Sequence, residues 1–154
     1  MITADDLNDQ QMYLQEKIRL TNRVLIGVRI VEGYGLSLVG NQLNVSAGVA
    51  FDCAGRELIL SEGFTIDVSG AKDGEYVCLK YREEEVKMKY DLEKMEDFES
   101  GFNTRIEEKV EVIIGPSDFY RTHEKSKYGF EACRADHAIP IAQLEQGRII
   151  SLLK

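Results

Sequence analysis

The residues from Gln11 to Gly35, QMYLQEKIRLTNRVLIGVRIVEGYG, constrain the fold most, because within them the apolar period changes from that of a helix to that of a strand. On a helix each residue advances by roughly 100°. Leu7, Leu14, Ile18 and Leu25 then fall within about 20° of one line. Tyr13, Leu20 and Val24 form a second apolar stripe about 120° away. The chain's own body can bury one stripe, whereas two stripes call for a further surface, from more of this chain or from a partner. Thr3 is the expected N-cap, with Asp5 and Asp6 in the first turn, where the helix dipole favours negative charge. The helix is expected to end near Gly27. Val28 to Val31, rich in β-branched residues, reads equally well as a first short strand.

Beyond Gly35 the period is two. Leu36 and Leu38 alternate against Leu43 and Val45 around Gly40-Asn41, a hairpin signal. Asp52-Cys53-Ala54-Gly55 reads as a turn, with Asp at its start and Gly at its end. Further strands are expected at Arg56 to Leu60, Phe64 to Val68, Glu75 to Tyr81, Arg105 to Ile114, Ile139 to Leu144 and Arg148 to Leu152. Pro140 cannot donate to a sheet ladder, which places its strand at an edge or at a strand start. Residues 83–104 are highly charged and read either as a strand extension that passes into a short helix or a loop, or, preferred here, as an excursion from the sheet. Residues 117–133 read as a loop with a helical turn. The fold class expected is α+β, mostly β: a long N-terminal helix followed by a β-sandwich or barrel-like antiparallel domain of about eight short strands. The expected organisation is one domain over 1–154, with the helix in 1–27 and a β-rich body in 28–154.

Composition narrows the function classes. A net charge of −8 argues against nonspecific nucleic-acid binding, which depends on neutralising phosphates with Lys and Arg. The longest apolar runs are too short for a membrane span. The acidic start MITADDLND lacks the pattern of a signal peptide, so a cytoplasmic protein is expected.

No residue set reads as catalytic, and no cofactor or metal is expected. Cys53, Cys78 and Cys133 are widely spaced without a CxxC, which suits small buried hydrophobes. His123, Cys133 and His137 offer three ligands, with Cys53 or Cys78 as a remote fourth, whereas closed zinc sites use four ligands paired at short intervals. A metal there would favour a metallohydrolase. Asp136-His137 invites a general-base reading, but no nucleophile motif accompanies it. Gly33-Tyr34-Gly35 lacks the order and third glycine of a nucleotide fingerprint. The acidic residues near the N-terminus cap a helix and do not continue into a calcium loop.

Four segments together carry a resemblance. The first, residues 3–35, includes Arg19, Leu20, Asn22, Arg23, Leu25, Gly27, Val28, Val31 and Gly33. The second runs from Val45 to Glu57, with Gly48, Ala50, Asp52, Gly55 and Arg56. The third is Tyr76 to Glu83, followed after the insert by Thr104 to Glu108; the last is Ile139 to Ile150. In this order they resemble a family of small structural proteins associated with phage-tail-like contractile injection systems, and the N-terminal domains of phage baseplate and tail-fibre proteins. The chain departs from that family at Ile26 and Arg29. It also lacks cysteines between Cys78 and Cys133, where the family often carries several.

The resemblance implies a structural or adaptor part that assembles as a homo-oligomer, a trimer or ring, with other tail-like particle proteins as partners. Its assembly would be cytoplasmic, within a virion-like or injection particle. The second stripe of Tyr13, Leu20 and Val24, with Arg19 and Arg23 beside it, is the expected oligomer interface. The alternative is a stand-alone small-ligand or glycan-binding module using Tyr120, Tyr128 and Phe130 on the late loop.

Overall fold

The computed structural model describes residues 3–87, 104–116, 133 and 137–152. Helix α1 spans Ala4–Leu25. A capping box starts it: Thr3 Oγ1 accepts from Asp6 N at 3.2 Å, and Asp6 Oδ2 accepts from Thr3 N at 2.9 Å. The Ile26 and Gly27 amides both donate to Asn22 O, and Gly27 then takes φ +70, the left-handed turn that ends helices. The N-cap and the stop near Gly27 are therefore where the sequence places them.

Ten strands follow among the described residues, against about eight expected. Their bounds are β1 Arg29–Gly33, β2 Leu36–Val39, β3 Gln42–Val45, β4 Gly48–Phe51 and β5 Glu57–Leu60. Then come β6 Phe64–Asp67, β7 Tyr76–Lys87, β8 Thr104–Gly115, β9 Ile139–Glu145 and β10 Arg148–Ser151. They pair in three antiparallel sheets of order β1-β4-β5, β2-β3-β6 and β10-β9-β7-β8. The hairpin at Gly40-Asn41 is present, with Val39 opposite Gln42. The sheets surround one core without closing into a barrel. Tyr34, Leu43, Val45, Leu58, Val77, Leu79 and Ile141 lie at its centre. Alternation selects them: Leu43 and Val45 point inward while Gln42 stays exposed.

One expectation about strands is corrected and another is narrowed. Strand β7 runs on past Tyr81 to Lys87, paired with β8 along its whole length, so the charged stretch opens as a strand extension and does not leave the sheet at residue 83. Residues 83–87 of the charged stretch thus continue the ladder, and residues 88–103 lie outside the described set. Of the two places expected for Pro140, the strand start holds and the edge does not, since β9 lies between β10 and β7. It is accommodated because it is the second residue of β9, faces Cys78 beside a register shift in β7, and lies beyond the reach of β10, whose pairing ends at Ala142.

Candidate functional site

The helix meets the body through a polar face. Gln15, Arg19 and Asn22 are spaced by four and three residues, which puts them on one side of α1. Asn22 Nδ2 donates to Gly55 O at 3.0 Å, and Arg23 Nη1 donates to Ala54 O at 2.9 Å. Gln15 Nε2 donates to Glu108 Oε1 at 3.3 Å. Arg19 Nη2 lies 3.6 Å from both Glu83 and Glu108.

These two glutamates face each other directly across β7 and β8, and so do Glu84 and Glu107. Like charges directly opposite destabilise a sheet. The helix supplies the cation that offsets the first pair; Lys109, bonded to Glu84, offsets the second. The Tyr81 hydroxyl sits at the same point, 2.7 Å from Glu108 Oε1 and 2.9 Å from Glu83 Oε1, while accepting from Arg19 Nη2 at 3.3 Å. Burial, then the two carboxylates, raises its pKa, because the phenolate would form beside two negative charges. Arg56 stacks on the other part of this cluster, 4.4 Å from the Tyr81 ring centre.

With the polar face turned inward, the apolar stripes are left outside. Leu7, Leu14, Ile18, Leu25, Tyr13 and Val24 are 49–76% exposed, and Leu20 is half-buried. The expectation that the body buries one stripe is therefore corrected. Of the residues expected at an oligomer interface, Tyr13 and Val24 are open, whereas Arg19 and Arg23 are engaged by this chain's own body. Leu14, Ile18 and Met12 line one side of an open groove of about 1210 Å³, and Ile106 of β8 lines the other. Sequence periodicity located the stripes correctly; it carries no signal for which face docks.

A second cluster lies at the far side of the 52–56 turn. Asp52 Oδ1 accepts from Ala54 N and Arg56 N, each at 2.9 Å, and Oδ2 accepts from Arg56 Nε at 2.6 Å. The turn so fixed presents Cys53 to His137, with Sγ 3.3 Å from Nδ1. Cys133 Sγ lies 3.5 Å from the same Nδ1, and all three ligand atoms fall within 4.8 Å of one another. Cys53 and His137 are buried. Burial, followed by Cys133 and Asp52, pushes the Cys53 thiol up to about 12, opposite to what a nucleophilic cysteine needs. His137, 1% exposed, is also poorly placed as a general base for a substrate in solution.

Folding thus brings Cys53, a remote ligand 84 residues before His137 along the chain, beside Cys133 and His137. His123, Asp136, Tyr120, Tyr128 and Phe130 lie outside the described residues. Gly33-Tyr34-Gly35 is structural: Tyr34 is fully buried at φ +56, and its hydroxyl donates to Leu58 O at 2.8 Å. No protein-family model matches the chain, and no curated protein matches its sequence.

Proposed function

We propose that this chain is a non-enzymatic structural or adaptor subunit that assembles with copies of itself through α1, as a component of a phage-tail-like contractile injection or prophage particle. One observation carries the assembly: the helix turns its polar face to its own body and its apolar stripes to the outside. A surface helix ordinarily does the reverse. Leu7, Leu14, Ile18 and Leu25 also fit the alternating three-four spacing of a coiled-coil seam, with Gln11 and Thr21 at the intervening positions. Polar residues within such a seam select register and copy number. A second copy of the same helix is the occupant this pattern suits, and two stripes allow each helix two neighbours, as in a trimer or ring.

The place in a particle is supported by the four segments that resemble the tail-associated family. The described helix is not long and apolar enough to cross a membrane.

Two measurements test the reading. Light scattering of the purified chain is expected to give a trimer or larger ring; a monomer at all concentrations refutes the assembly. Mass spectrometry of tubular particles sedimented from the native host is expected to find the chain with sheath and tube proteins. Absence from intact particles, with the chain abundant in the soluble fraction, would favour the ligand-binding module.

A further inference from the structure

We propose that Cys53, Cys133 and His137 bind one zinc ion, which ties the 52–56 turn to the entry of β9. This goes beyond the assembly reading and does not depend on it. In a tetrahedral zinc site with Zn–S near 2.3 Å and Zn–N near 2.05 Å, sulfur and nitrogen ligands stand about 3.6 Å apart. The sulfur-to-Nδ1 distances of 3.3 and 3.5 Å are close to that edge length. Both sulfurs converge on a single ring nitrogen, which has one position for either a proton or a metal. A cation set between the three atoms is shared by all of them, whereas one hydrogen is not.

The donor set selects the ion. Two thiolates and an imidazole suit zinc and disfavour magnesium and calcium, which take oxygen ligands. Binding releases the two thiol protons to solvent, and the resulting centre of one Zn²⁺ and two thiolates is neutral, which suits a buried place. The fourth position falls to solvent, on the side of the partly exposed Cys133. Asp52 is not that donor, because both of its oxygens already hold the turn. It acts as a positioning residue that aims Cys53. The ion would close a loop of 84 residues and so restrict the unfolded chain.

The test uses the full chain, reduced and free of chelator, titrated with cobalt(II) and then zinc(II). Expected are saturation at one cobalt per chain, the intense visible bands of tetrahedral cobalt, a sulfur-to-cobalt band in the near ultraviolet, and displacement by one equivalent of zinc. His137→Ala and Cys53→Ser should lose the saturable bands. Cys78→Ser, which changes the remaining cysteine, should keep them. A ligand variant that fails to fold leaves the wild-type reading decisive: zinc should raise the Tm of the wild-type chain and EDTA should reverse the shift. Absence of saturable cobalt binding, retention of the bands in a folded His137→Ala, or a Cys53–Cys133 disulfide in the chain as purified, before reduction, would each overturn the proposal.

Discussion

Asn22 on the helix and Gly55 in the turn, 33 residues apart, form a buried contact in which the amide donates to the carbonyl at 3.0 Å. Gly55 has φ +79, and a Cβ there would come 2.1 Å from the Arg19 carbonyl oxygen. The helix backbone can lie this close only because the position is glycine. Gly55→Ala is therefore expected to cost at least about 1–2 kcal/mol from the left-handed backbone alone, and to push α1 off the turn. Asn22→Ala should cost about 1–3 kcal/mol by leaving the Gly55 carbonyl unpaired. Thermal melts read the loss, and faster proteolysis within α1 reads the detachment. An unchanged Tm in both variants would contradict the contact.

Replacing Leu20 and Val24 together by Glu puts two charges on the outward stripe. Neither residue belongs to the core cluster, so the β-sheet signal should persist. Each side chain removed from a buried interface forfeits about 1.5–3 kcal/mol, enough for a double change to dissociate the oligomer. If the sedimentation mass stays as in the wild type, the second stripe is not the interface.

Asp52 is 1% exposed and accepts from two amides and the Arg56 guanidinium. Removing the carboxylate leaves all three donors without it and loosens Arg56 above Tyr81. Asp52→Ala is expected to lose about 3–5 kcal/mol, and Asp52→Asn less, since its remaining oxygen can still accept. The urea midpoint should fall with the slope unchanged. Equal losses in the two variants would mean that the hydrogen-bonding oxygens are not what holds the turn.

Alkaline pH should weaken the fold through Tyr34. Burial pushes its pKa up from 10.0 to about 12, because the phenolate has no water to solvate it. The unfolded chain loses this proton first, so the Tyr34 contribution is intact below about pH 10 and is lost as pH rises towards 12. The amount is on the order of 2 kcal/mol. Tyr81, raised by burial and by Glu108 and Glu83, acts with the same sign. Tyr34→Phe should be less stable at neutral pH yet show a shallower alkaline decline. A decline as steep as the wild type's would assign the effect to other groups.

The helix, its capping box, the stop at Gly27, the Gly40-Asn41 hairpin and the Asp52 turn were legible in the sequence because each rests on neighbours a few residues apart. Period and turn chemistry are local, and local rules suffice for them. The extension of β7 was open in the sequence but not chosen by it: a run of glutamates is poor strand sequence alone, and cations from α1 and β8 make it tolerable. Pro140 marked the start of its strand correctly, and only the pairing showed that this strand lies inside a sheet, where a register shift and a short neighbour accommodate it.

What the sequence by itself determined is therefore a two-striped helix followed by antiparallel strands, since apolar spacing dictates element type. Only the tertiary structure decided that the helix docks by Arg19, Asn22 and Arg23 and leaves its apolar stripes open. That choice depends on the opposed glutamates of β7 and β8 and on a turn with no side chain at Gly55. The meeting of Cys53, Cys133 and His137 belongs to the same class. Contacts between residues far apart along the chain follow from how the sheets pack around one core, which spacing along the chain does not encode.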